Sequence, residues 1–150
     1  METHRPATGG LEITDDRGRL DVALVHRELA ASYWSPGVPR AVVEAAIAGS
    51  ECWSAHRDGV QIGFARLVTD RATFGYLADV FVVAEARGAG VGTALVEAVT
   101  SRADEYGLRR LILATRDAHG VYRPFGFTDS PPGLLMERTV DPAVLYGRSG

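Results

Sequence analysis

The sequence predicts a mixed α/β fold: a central, mixed, twisted sheet of about six or seven strands flanked by helices. Three observations lead there. Short β-type apolar runs recur between residues 11 and 83, and helix-spaced apolar stripes occupy 20–31, 42–47 and 91–103. Between them, the strand-like run VFVV at 80–83 passes through three closely spaced glycines directly into the longest stripe. The expected order of elements is β-α-α-β-β-β-α-β-α-β.

Residues 1–9 are polar and contain Pro6 and Gly9, which predicts a loose lead-in. LEIT at 11–14 is a short strand closed by Asp15, Asp16 and Gly18. Apolar residues at 22, 25 and 29, with 20 and 24 beside them, follow a helical period up to the break at SPGVP, 35–39. Val42, Val43, Ala46 and Ile47 form the stripe of a second helix, with Gly49 as its stop. CWSAH, RDG and VQIGFARLV read as a hairpin turning at Asp58-Gly59. TDRA at 69–72 is the next turn, and TFGYLADVFVV, rich in aromatic and β-branched residues, the next strand. The helix at 91–103 ends at Tyr106-Gly107, and RLILAT at 110–115 reads as a buried central strand. A helical crossover joins it to the strand at 73–83, so those two strands are expected to run parallel. A short helix around 117–123 and a last strand, LLMERT at 134–139, complete the order.

At 150 residues, with no internal repeat or domain-sized linker, the chain is expected to be one domain over 1–150. A net charge of −3 gives no reason to expect nucleic acid or an anionic membrane as partner. No run reaches the roughly 18 apolar residues of a membrane span, and METHRPATGG lacks the apolar core of a secretory signal. The single Cys52 fits a reducing compartment, so a cytoplasmic location is expected.

The glycines carry the chemistry. A helix N-terminus offers free N–H groups and a positive dipole end to phosphate, and glycine removes the Cβ atoms that would block the approach. Arg87 adds a cation, and Thr93 a hydroxyl in the first helical turn. Gly88-x-Gly90-x-Gly92 is neither a dinucleotide fingerprint nor a nucleotide P-loop. Taken alone, the segment also fits a purely structural turn.

A second segment narrows the reading. Arg87-Gly88-Ala89-Gly90-Val91-Gly92 resembles the Q/R-x-x-G-x-G/A pyrophosphate loop of the GNAT superfamily of acetyl-CoA-dependent N-acetyltransferases. Ala118 to Phe127, AHGVYRPFGF, resembles that family's A-x-x-x-Y-x-x-x-G-F signature. The likeness covers about residues 60–138. It implies that acetyl-CoA is the cosubstrate, with its pyrophosphate on residues 87–92 and Thr93. It implies that Val80, Phe81 and Val82 lie beside the pantetheine arm. Thr115 stands where many relatives carry an asparagine that bonds this arm, and Tyr122 would lie near the thioester sulfur.

Acetyl transfer to an amine needs a neutral nucleophile, a polarised carbonyl and a protonated leaving thiol. Tyr122 suits the acid, since a phenol is a donor at neutral pH. Asp79 is a carboxylate inside an apolar strand, readable as a base, as an anchor for the substrate ammonium, or as the structural partner of Arg66 or Arg110. Tyr33 and Trp34, in a Pro/Gly break, and Phe74 and Tyr76, two apart on one strand, are candidates for the acceptor wall. His119 precedes Tyr122 by one helical turn and is a further candidate at the substrate. Cys52 reads as a small core residue and Asp70 as a solvated turn residue. His4, His26 and His56 lack ligand spacing, so no metal is expected. The function that follows is acetyl transfer to a primary amine, a small molecule rather than a protein. A non-catalytic acyl-CoA-binding domain is the alternative, and the resemblance leaves a homodimer open.

Overall fold

A computed structural model describes residues 4–7 and 10–147. Six strands form one sheet whose spatial order is the chain order: β1 His4–Ala7, β2 Leu11–Thr14, β3 Glu51–Arg57, β4 Val60–Thr69, β5 Phe74–Val82 and β6 Arg110–Ile112. Neighbours are antiparallel up to β5, and β5 and β6 are parallel, as the crossover helix between them requires. The helices are α1 Val22–Ala30, α2 Arg40–Ala48, α3 Val91–Tyr106, α4 His119–Tyr122 and α5 Pro142–Tyr146.

The period of two along the strands divides the core. Trp53 and Ala55 of β3 and Ala65 and Leu67 of β4 pack with Val91, Leu95 and Val99 of α3. Cys52 and Phe64, their alternates, pack on the other side with Leu24, Val25 and Leu29 of α1 and Val43 and Ile47 of α2. Both faces of the sheet are therefore covered, and its middle strands are buried almost end to end. Helix α3 seats closely because Gly63 leaves room: a Cβ there would meet Leu95 Cδ1 at 3.0 Å and the Phe81 carbonyl at 3.1 Å. Cys52 lies in this core with its thiol pushed up to about 11 by burial, inert as a nucleophile.

Local signals set the element ends. The Asp21 carboxylate accepts from the Leu24 amide and caps α1. Gly107, in the left-handed region, closes α3. The β3–β4 hairpin turns on Asp58 and Gly59, both at positive φ as a two-residue turn demands.

Three expectations need correction. Residues 4–7, read as part of a loose lead-in, form β1 and pair with β2 from His4↔Thr14 to Ala7↔Leu11. RLILAT is not a central strand: only Arg110–Ile112 pairs, at the sheet edge and half-buried, and its apolar run reflects Leu111 and Leu113 packing on one side against the core. LLMERT is not a strand. A three-residue β6 is too short an edge to receive it, Met136 is 96% exposed, and among the described residues the last regular element is α5, capped by Asp141.

Candidate active site

The site begins with a defect in the sheet. Phe64 faces Phe81 and Arg66 faces Ala78, so Asp79 and Val80 of β5 together oppose the single Ala65 of β4. This is a β-bulge, and Asp79 takes the left-handed conformation it needs, at φ 58°. Aspartate is among the few residues with a side chain that tolerate that region. On the other edge of β5, pairing with β6 stops at Tyr76↔Ile112. From there β5 runs on while residues 113–118 diverge, and a cleft of about 570 Å³ opens between them. The β5 edge facing it, through Ala78 and Val80, has no strand partner among the described residues.

Two aromatic residues from the α1–α2 loop close the cleft. Trp34 Nε1–H donates to Asp79 Oδ1 at 2.9 Å, and Tyr33 packs edge-on to Trp34 at 5.1 Å between ring centroids. The other Asp79 oxygen accepts from Arg66 Nε at 2.9 Å, and Arg66 donates further to the Ser50 hydroxyl. Of the three readings of Asp79, the structure presents the ion pair with Arg66; Arg110 is not its partner. Both carboxylate oxygens are engaged.

Tyr122 projects from α4 into the same cleft, its ring edge-on to Phe127 at 5.8 Å. Burial, and then the neighbouring Tyr33, push its phenol above the ordinary tyrosine value, so it holds its proton throughout the neutral range. Tyr76 also lines the cleft, raised by burial and by Asp79. The Thr115 hydroxyl oxygen accepts from the Ala118 amide at 3.0 Å, ordering the start of α4, and its proton remains free to donate.

Not every candidate converges. Phe74, 40% exposed at the strand start, lies outside the cleft, because Tyr76 is already at the end of the β5–β6 pairing. His119 faces a second cavity, of about 340 Å³, on the far side of Tyr122 beside Phe127 and Leu135. Sequence reasoning missed Arg116, whose guanidinium lies 3.8 Å from the Tyr33 ring centroid at the cleft. Only its place one residue beyond Thr115 could have signalled it.

The glycine loop lies between β5 and α3. Gly88 and Gly90 both stand at φ 81°, and a Cβ on either would meet nothing within 4 Å. Their backbone conformation alone accounts for glycine at these two positions. Gly92 differs. It is helical, and a Cβ there would make an ordinary contact with Val82 Cγ2 at 3.8 Å, so nothing inside the fold excludes alanine. No side chain caps α3, which leaves its first-turn amides, including those of Val91, Gly92 and Thr93, open to a ligand. Arg87 Nε donates to the Val82 carbonyl at 3.1 Å, which holds its guanidinium at the loop. A bare helix start, beside a cation and next to an unpaired strand edge, fits a diphosphate joined to an extended amide chain.

The sequence profile of the Acetyltransferase (GNAT) family matches residues 23–127. The chain belongs to this family. A protein from Xanthomonas campestris pv. campestris assigned to the GNAT acetyltransferases is 45% identical, over 89% of this chain and 96% of its own, with a TM-score of 0.84. A curated protein of Gibberella zeae named as a candidate acetyltransferase is 25% identical over 73% of each chain. The fold also matches an acetyltransferase-type protein of Clostridium acetobutylicum solved with acetyl-CoA, at 19% identity, 91% of this chain and 96% of that one, and a TM-score of 0.61. GNAT acetyltransferases use acetyl-CoA and an acceptor substrate, and the glycine loop and open strand edge are the parts of this chain that fit the cosubstrate. Among the described residues no helix is long and apolar enough to cross a membrane.

Proposed function

We propose that this protein transfers the acetyl group of acetyl-CoA to the primary amine of a small molecule. The observation that carries the reading is the bare start of α3: an uncapped helix whose first-turn amides stand open behind Gly88 and Gly90, next to a cleft that holds a tyrosine donor. Acetyl-CoA supplies an activated thioester. The amides of residues 87–92 and the Thr93 hydroxyl hold its pyrophosphate, with Ala89 and Val91 contributing backbone only, and Arg87 balances the charge. Backbone groups of Val80 and Val82, on the edge that β6 leaves unpaired and on either side of Phe81, bond the pantetheine amides and aim a donor at the carbonyl. Thr115 donates its remaining proton to the same arm.

As the C–S bond breaks, Tyr122 delivers its proton to the departing thiolate; with its pKa raised it carries that proton throughout the neutral range. Tyr33, Trp34 and Tyr76 form the acceptor wall. Asp79 fixes Trp34 there rather than removing the amine's proton, because its carboxylate is bound by Arg66 and Trp34 together. The ammonium loses one proton to solvent at the open cleft before it attacks, and the second, shed as the C–N bond forms, also passes to solvent. A cleft of about 570 Å³ has the size of a small-molecule site.

The test is isothermal titration with acetyl-CoA followed by CoA release against a panel of amines. Saturable binding with amine-dependent release is expected. Binding without turnover on a broad panel would replace the enzyme with an acyl-CoA-binding domain, and no binding would overturn the cosubstrate reading.

A further inference from the structure

Four charged side chains stand on the wall of the cleft: Arg66, Asp79, Arg116 and Asp117. The first two neutralise each other at 2.9 Å. One cation and one anion are left, adjacent in sequence and both exposed.

Arg116 is held in an unusual way for an exposed arginine. Its guanidinium stacks on Tyr33, while its backbone N–H donates to the Tyr33 hydroxyl at 3.3 Å. No carboxylate among the described residues pairs with it. Stacking occupies the face of the guanidinium and leaves its N–H edge unspent. A planar donor edge, already oriented, matches a carboxylate in two parallel hydrogen bonds. Tyr33 is in turn packed against Trp34, which Asp79 fixes, so the fork is tied to the bulge that shapes the site.

We propose that the acceptor is an amino-carboxylate, a small molecule of the amino-acid class, and that Arg116 binds its carboxylate. The inference rests on the acetyl-transfer reading above and narrows its acceptor. The remaining charges select for this class. Arg116 repels a polyamine, Asp117 repels a phosphate dianion, and a zwitterion meets an opposite charge at each end. Tyr33 acts through Arg116 and is a positioning residue.

The experiment compares free amino acids with the amines obtained by removing their carboxyl group, measured as CoA release with acetyl-CoA. Amino acids are expected to exceed their decarboxylated counterparts in kcat/KM by about tenfold or more. Arg116→Gln should raise KM for the preferred amino acid roughly ten- to hundredfold, the usual result of removing one side of a charged hydrogen-bonded pair. Its Kd for acetyl-CoA, from titration, should stay within about twofold. Arg116→Lys should recover only part of the loss, and Tyr33→Leu should raise KM with little change in kcat. A readout without turnover comes from Trp34, since the only other tryptophan, Trp53, is buried. Amino acid added to the protein saturated with CoA should change its fluorescence, and Arg116→Gln should shift that titration to higher concentration.

Equal use of both amine classes would overturn the proposal while leaving acetyl transfer intact. So would an Arg116→Gln defect in acetyl-CoA affinity, which would put the guanidinium on a phosphate of the cosubstrate. Failure of the wild-type protein to bind acetyl-CoA would instead bring down the underlying reading, and this one with it.

Discussion

Arg66 Nε lies 2.9 Å from Asp79 Oδ2, across the β-bulge between β4 and β5. The pair extends at both ends, through Trp34 to the α1–α2 loop and through Ser50 to the start of β3. With side chains only 18% and 10% exposed, it is a structural tie at the wall of the cleft.

Asp79→Asn keeps the left-handed backbone and an acceptor for Trp34 but leaves the Arg66 charge unmatched. A loss of about 2–3 kcal/mol is expected from urea unfolding. Adding Arg66→Gln should recover part of it, and the double-mutant cycle reads the coupling directly. If Asp79 holds Trp34 rather than acting as base, the acceptor KM rises and kcat falls less than about tenfold. A kcat loss of several hundredfold at unchanged KM would restore the base.

Gly92→Ala and Gly92→Glu together separate ligand from fold. The new Cβ meets only Val82, and alanine favours the helix, so stability should be unchanged or rise by up to about 1 kcal/mol. Acetyl-CoA affinity should be little changed by alanine, since the family's loop takes glycine or alanine here, whereas Gly92→Glu should lose it because its carboxylate repels the pyrophosphate. Gly90→Glu is expected to lose both: a left-handed φ of 81° costs a side chain about 1–2 kcal/mol, and the carboxylate repels phosphate. A Gly92→Glu protein of undiminished affinity would mean the pyrophosphate sits elsewhere.

Tyr122→Phe should lower kcat about a hundredfold or more with acetyl-CoA affinity nearly intact, the range of a lost general acid. Because burial and Tyr33 raise the phenol's pKa, the alkaline limb of the wild-type kcat profile should lie above the ordinary tyrosine value. In the variant that limb should vanish. Equal loss of binding and turnover would make Tyr122 a packing residue.

Glu51 makes a prediction about acid stability. Its burial opposes the charge, but hydrogen bonds from Tyr106, Arg102 and Arg71 outweigh it and hold the carboxyl below its ordinary value. A depressed folded-state pKa contributes stability that is present above the unfolded value, near 4.5, and is lost as pH falls through the folded one. Glu51→Gln should therefore cost about 2 kcal/mol near pH 7, and its deficit against wild type should shrink below about pH 4.5. Denaturation curves at several pH values read this. A deficit independent of pH would assign the effect to packing against Tyr106.

Local chemistry made much of this molecule legible. The Asp58-Gly59 turn, the Gly49 and Gly107 helix stops and the α3 stripe each act within a few residues, so their signals survive without tertiary context. Tyr33, Trp34 and Tyr122 could be named as candidates because each stands out in its own segment. Phe74 and His119 were named on the same grounds and lie outside the cleft, since sharing a strand face or a helical turn says nothing about where a strand's pairing ends. Arg116 was invisible because its role comes from Tyr33, 83 positions away.

By itself the sequence determined the alternation of strands and helices, the glycine loop at 87–92 and the family, because periodicity, glycine and capping are short-range properties. Only the tertiary structure decided that β5 bulges at Asp79, that pairing with β6 stops at Tyr76, and that Arg66 rather than Arg110 neutralises the carboxylate. Those are outcomes of register between distant segments. A register depends on which strand faces which, and that is settled when the two faces of the sheet are packed against α1–α2 and α3 together.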